Sequence, residues 1–348
     1  MKKFGTVRLF FLLILVLSLS VIPTIGGYFA NNDTTKERLF GNEAEEMGVL
    51  VVWNVDTFEG GNMGKSSILE SVSRQFEQQN KGAFVLVLNL TPDEFLMKIE
   101  NETPDVVSFG YGLFDKICEN SLELGFNANL LDNVSSGAMT NNKVFAYPWC
   151  LGAYFLLATE ESLSKAGATS TNLVDNCMEF GYEKVVGKKT RQVFSLEMGT
   201  NAFCSAKDAL LKQVDIKDGS IDDAWQNQSF YDAYVGFVNG KSTFLLGTQR
   251  DVARLENKKS QGVIQDFYGE ALLSTDLVQY IAAVKTENST KEKLSKKFCA
   301  FMLSNIVQQK LLDFGFLPSC KLKNVECESK ILLKTYENIS KMSISAIN

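Results

Sequence analysis

The chain has 348 residues, 45% of them hydrophobic and 22% charged, with 35 basic against 41 acidic side chains and a net charge of -6. That length suits two lobes of about 150 residues each, and the composition excludes wholesale disorder; without a clustered Lys/Arg surface, nucleic acid is excluded as a partner. The sequence contains no histidine, which removes Ser-His-Asp and Cys-His catalysis and the usual zinc sites.

Lys2, Lys3 and Arg8 precede an apolar run, Leu9–Ile22, followed by Pro23, Gly26 and Gly27. A basic flank before an apolar core is the pattern of an export signal. Counted from Leu9 to Phe29 the segment has 21 residues, enough to span a bilayer as a helix. Acidic residues follow it (Asp33, Glu37, Glu43, Glu45, Glu46), so the charge asymmetry places the body of the protein outside. The expectation is an anchor that stays attached, with cleavage and release as the alternative. Residues 31–47 are polar and read as a tether.

Val49–Val55 is a β-branched run of the kind buried in a parallel sheet. Ser67 and Glu70 are spaced as a capping box for a helix whose apolar stripe is Ile68, Leu69, Val72 and Phe76. A second apolar strand, Ala83–Leu90, follows. Thr91, Pro92 and Glu94 then open a second helix, and Val106–Phe109 is a third strand. The order β-α-β-α-β implies a parallel sheet covered on both faces. Ligands of such sheets bind outside the carboxyl ends of the strands. Two loops lie there, Asn54–Lys65 and Gly110–Asp115.

Further on, Val144–Tyr147 and Tyr154–Thr159 read as strands flanking Pro148-Trp149. Arg191–Leu196 is a strand candidate, and Ala202–Leu211 and Ser229–Val238 are helices. Thr243–Leu246 leads into the turn Gly247-Thr248-Gln249-Arg250. Leu294–Met302 and Ile306–Phe314 close the series as helices, the last stopped by Gly315 and Pro318. The seven cysteines show no Cys-x-x-Cys pair. They read as single buried thiols, with Cys320 and Cys327 close enough in sequence to pair.

In this order the residues resemble a known family, the extracellular solute-binding proteins of the carbohydrate-uptake type, to which maltose-binding protein belongs. Gln75-Phe76-Glu77-Gln78-Gln79-Asn80 resembles the segment before the family's second strand, and Thr103-Pro104-Asp105-Val106-Val107 its Pro-Asp-hydrophobic signature. Lys143–Pro148 resembles the hinge strand, and Leu156–Gly167 the element after it. Phe237-Val238-Asn239-Gly240-Lys241, Phe298–Leu303 and Gly315-Phe316-Leu317-Pro318 match later motifs. The lipid-anchoring cysteine common in the family is absent here.

The resemblance implies an α/β, two-lobed periplasmic-binding-protein-like fold, each lobe a mostly parallel sheet flanked by helices, with a ligand cleft between the lobes. It places lobe one at 48–146 and 268–313, and lobe two at 147–267 and 314–348. It further implies a monomeric, non-enzymatic receptor that needs no cofactor or metal. Such a receptor takes a small solute, a saccharide above all, by hinge closure and passes it to the permease subunits of an ABC importer.

The candidate ligand-binding residues follow from these loops. Asp56 and Glu59 lie in the glycine-rich loop and would accept hydrogen bonds from ligand hydroxyls or amines. Gly64-Lys65-Ser66 looks like the end of a P-loop, but Glu59 stands where that pattern needs glycine. Tyr111, between two glycines after the third strand, and Trp149, after Pro148, would stack on a sugar face. Trp225 stands in a polar stretch. Arg250 would offer a fork of donors from the second lobe, or else pair with Asp251 or Glu256 on its own element. Each carboxylate, and each aromatic, has an ordinary alternative as a surface turn or a core residue. A module that senses ligand for a membrane signalling partner, and a glycoside hydrolase using Asp56 and Glu59, are the rival functions.

Overall fold

The first apolar run forms β1 (Gly48–Val55), and the chain then enters helix α1 (Lys65–Gln79). These elements come from a computed structural model, which describes residues 48–61, 63–135, 139–175, 185–187, 206–214 and 230–344. The α1 stripe is the expected one: Ile68, Leu69, Val72 and Phe76 are buried, and Phe76 meets Phe298 edge-on at 5.1 Å. The helix starts two residues before the expected Ser67 cap. Gly64, with extended backbone, is its N-cap and makes no side-chain cap bond, so Lys65 becomes the first helical residue.

β2 (Ala83–Leu90) pairs with β1 in parallel over its whole length. Helix α2 (Pro92–Ile99) carries the expected capping box: Thr91 N–H donates to Glu94 Oε2 at 2.7 Å, and Glu94 N–H donates to Thr91 Oγ1 at 3.3 Å. β3 (Val106–Gly110) lies parallel to β1 on its other side.

Next come β4 (Tyr147–Leu151), β5 (Tyr154–Thr159) and α3 (Glu160–Ala166). Pro148 and Trp149 therefore lie inside a strand and not between two. Proline has no N–H for the ladder, and the register of the neighbouring strand shifts by a bulge between Gln279 and Tyr280, opposite this point. The chain continues through β6 (Val185–Gly187), α4 (Ala206–Val214), α5 (Phe230–Val238), β7 (Phe244–Thr248), α6 (Gln249–Ser260) and β8 (Phe267–Ala271). β9 (Val278–Ala283), α7 (Ser289–Phe301), α8 (Asn305–Lys310), β10 (Leu317–Pro318) and α9 (Lys330–Glu337) complete it. The strand expected at Arg191–Leu196 lies outside the described residues.

Two sheets result, in the orders β10-β4-β9-β3-β1-β2 and β8-β5-β7-β6. In the first, β1 to β4 share one direction while β9 and β10 oppose them. In the second, only β5 opposes the rest. This is the mixed, mostly parallel α/β architecture that was expected, one sheet to each lobe. The strand Tyr147–Leu151 hydrogen-bonds to β9, so it belongs to the first sheet, whereas β8 belongs to the second. The chain thus crosses between sheets at Gly152-Ala153 and at Leu272–Leu277, where the expectation was 146/147 and 267/268, and Leu317–Pro318, expected in lobe two, pairs with β4 in the first sheet.

The two crossings are bonded to one another. Gly152 N–H donates to Leu277 O at 2.6 Å, and Thr275 Oγ1 donates to Gly152 O at 3.1 Å. Tyr154 OH reaches Asp276 Oδ1 at 2.7 Å in the same buried zone. Buried Gln308 joins the elements beside it, donating to Trp149 O and Met302 O while Ser319 N–H donates to its Oε1. Cys320 and Cys327 are both free thiols, as are Cys118, Cys150 and Cys299. Burial pushes the Cys320 thiol up to about 11 and raises those of Cys150 and Cys299 further. These thiols are inert core groups.

Candidate ligand site between the lobes

The carboxyl ends of β1 and β3 open onto the loop 56–64. The loop is held from below by its own lysine. Lys65 is 1% exposed, its ammonium donates to Phe58 O and pairs with Asp56 at 3.2 Å, and it lies 3.8 Å from the centroid of the Phe58 ring. A buried cation needs such a partner, because an unpaired one costs several kcal/mol. Asp56 keeps its outer side in solvent, with 45% of the side chain exposed.

The far side of the loop touches lobe two. Glu59 forms an ion pair with Arg250, in the first turn of α6. Its carbonyl accepts from Gln249 Nε2 at 2.8 Å, and Gln249 Oε1 accepts from Ala153 N–H at 3.0 Å. One buried amide therefore connects the lobe-one loop, the interlobe crossing and the lobe-two helix. A β-carbon on Gly61 would lie 2.6 Å from Ala253 Cβ, and one on Gly60 would lie 2.3 Å from the Phe316 ring. Only glycine lets the loop come this close. Gly110 is in the same position, since a β-carbon there would strike Thr57.

The six residues singled out from sequence divide by position. Asp56, Glu59 and Arg250 gather at the junction, and Tyr111, half-buried, follows Gly110 where β3 abuts the same loop. Arg250 pairs across the cleft with Glu59 and not with its helix neighbours. Trp149 is corrected: it is 0% exposed, and its indole N–H donates to Ser108 Oγ at 3.2 Å. It lies in β4, between β9 and β10, and its full burial leaves no ring face for a ligand. Ser108 also accepts from buried Gln279 at 2.9 Å. Trp225 lies outside the described residues. Sequence reasoning missed Lys65 and Gln249. A lysine opening a helix after a strand, and a glutamine beside the capping pair Thr248 and Asp251 (N–H to Oδ2, 2.9 Å), are the signals that mark them.

Glu59 and Arg250 are partly exposed, so the pair contributes in the range of surface bridges, about 0.2–1 kcal/mol, and salt screens it. Glu59→Gln is expected to weaken interlobe closure less than about fivefold at low ionic strength. In 1 M salt the variant and the parent should close alike. Ligand titrations at two salt concentrations check both parts.

Among the described residues, no group of three or more His, Cys, Asp or Glu side chains is placed to hold a metal ion. None of their helices is long and apolar enough to cross a membrane.

The fold defined by these two sheets is the two-lobed, periplasmic-binding-protein-like fold. It is similar to the GacH receptor of Streptomyces glaucescens, whose structures include an acarbose complex, at 15% identity, 86% coverage of this chain, 87% of that one and a TM-score of 0.57. The sugar-binding protein MalE from Xanthomonas citri gives 14%, 86%, 86% and 0.60. Thiaminase I from Bacillus thiaminolyticus, an enzyme, gives 12%, 86%, 94% and 0.57. No family model matches the chain, and no curated protein matches its sequence significantly.

Proposed function

We propose that this chain is an extracytoplasmic solute receptor that captures a sugar or oligosaccharide by hinge closure and hands it to an ABC importer. Its N-terminal apolar segment holds it at the outer face of the membrane. One observation carries the reading: the loop after β1 and the first turn of α6 face each other across the lobe boundary, joined by Glu59, Gln249 and Arg250. These contacts reach from one sheet to the other, beside a crossing that can act as the hinge. Asp56, Glu59, Tyr111 and Arg250 then supply carboxylates, a ring and a guanidinium to a ligand that replaces those contacts, the combination that suits hydroxyl-rich solutes.

The enzymatic alternative rests on the likeness to thiaminase I, since one fold hosts both binding and catalysis. Against hydrolysis by Asp56 and Glu59, both carboxylates are already engaged by cations, Lys65 and Arg250.

A thermal-shift screen of the purified chain against saccharides, amino acids, polyamines and thiamine separates these readings. A ligand at a hundred times its dissociation constant adds about 2.7 kcal/mol, or about 5–10 °C for a chain of this size. A saccharide that stabilises the chain and is recovered unchanged supports the receptor. Turnover of any compound, or stabilisation by non-sugars alone, overturns it.

A further inference from the structure

β2 is the last strand of the six-stranded sheet. Its side chains alternate between the faces. Val85 and Val87 pack toward the core under α1, while Phe84, Leu86 and Leu88 turn to the other face. On that face α2 covers the carboxyl half, where Phe95 meets Trp53 edge-on at 6.3 Å. Among the described residues nothing covers the amino half, and Leu88, beside Trp53, is covered only in part. Phe84 is 62% exposed, Leu86 60% and Leu88 38%, and Val49, the β1 partner of Phe84, is 49% exposed. Among the described residues, the expected cover on both faces of the sheet does not reach this part. A strand face that only meets water alternates apolar with polar residues, and contiguous exposed apolar side chains mark a contact surface.

The rim of the sheet is capped at one point. Val85 N–H, which the β1 ladder does not use, donates to Glu77 Oε1 at 2.7 Å. A charged side chain on the edge is how sheets resist pairing with another copy. What remains available is the flat apolar face.

The chain's own course indicates what meets it. Gly48 opens β1, and Val49 is already part of the patch. Upstream, residues 30–47 join this point to the 21-residue segment Leu9–Phe29, which holds the apolar run Leu9–Ile22. Eighteen residues reach at most about 60 Å, and they join the folded body at Gly48, at the margin of the patch. Phe, Leu and Val side chains suit the boundary between headgroups and acyl chains.

We propose that the bare face of Val49, Phe84, Leu86 and Leu88 is a bilayer-contacting surface. It rests lobe one on the membrane and leaves lobe two free to swing. The inference depends on the N-terminal anchor in the functional reading above.

The test uses the full chain reconstituted in phosphatidylcholine vesicles with brominated acyl chains. Leu86→Trp, and Phe84→Trp as a second position, place a fluorophore on the patch. Ile306→Trp, on an exposed site of α8 toward the opposite edge of the sheet, is the control. Bromine is expected to quench the added fluorescence at 86 and 84 at least twofold and to leave that at 306 unchanged. If the protein floats with the vesicles and the patch tryptophans are not quenched, whether bare or covered by a second copy, the proposal fails and the anchor stands. If the chain does not float with vesicles at all, both fail.

Discussion

Gly61→Val shifts the molecule toward an open state. The α-carbon of Gly61 passes so close to α6 that even a methyl group would stand 2.6 Å from Ala253 Cβ and 3.3 Å from Gly315 Cα. Ala253 is buried on a helix of the other lobe, so the severest clash, at 2.6 Å, exists only when the lobes meet. Overpacking of this kind costs about 1–3 kcal/mol, which lowers the closed-to-open ratio about 5- to 150-fold. The lobes themselves keep their cores, because the added atoms point into the junction. X-ray scattering with and without saturating ligand reads the change directly as a larger radius of gyration. Gly48→Ala, with nothing within 4 Å of its β-carbon, serves as the control. A Gly61→Val chain that closes like the parent would show that the loop does not govern closure.

Asp105→Ala is the substitution expected to cost most stability. Asp105 is buried; its Oδ2 accepts Val51 N–H at 2.8 Å, and both oxygens lie 3.1 Å from Lys291 Nζ. One carboxylate thereby fastens β1, the entry to β3 and helix α7. Removing it leaves a strand N–H without its acceptor and a half-buried ammonium without its anion. Breaking a buried charged pair from one side costs about 3–5 kcal/mol; because Lys291 can turn to water, the lower end applies. At about 2–4 °C per kcal/mol for a chain of this size, the midpoint of thermal unfolding should fall about 6–12 °C. Asp105→Asn keeps an acceptor for Val51 and should lose roughly half as much. A change under 2 °C for the alanine variant would refute the assignment.

Asp105 also shows how much was legible in the chain before folding. It stands in the Thr103–Val107 segment, one of the ordered motifs through which the resemblance was seen, and its role there is structural. The strands β1, β2 and β3, the capping box at Thr91 and Glu94, and the amphipathic stripe of α1 follow from patterns within ten or so residues. The glycine-rich loop was singled out for its place after a strand, and it does lie at the lobe junction. Trp149 was misjudged because its environment depends on β9 and α8, more than a hundred residues away. Pro148 misled in the same way, since a proline is tolerated inside a strand at a bulge, and the bulge at Trp149 appears only in the pairing with distant β9.

The apolar runs, the caps and the glycine positions were thus determined by the sequence alone, because hydrophobic period, turn geometry and capping are local properties of the chain. Only the tertiary structure decided that Arg250 answers Glu59 across the cleft, that Gln249 ties the loop to the crossing, and that Phe84, Leu86 and Leu88 face outward. Those outcomes depend on which strand becomes the edge and which surfaces are brought together. Long-range packing sets them, and a residue's neighbours in sequence carry no record of it.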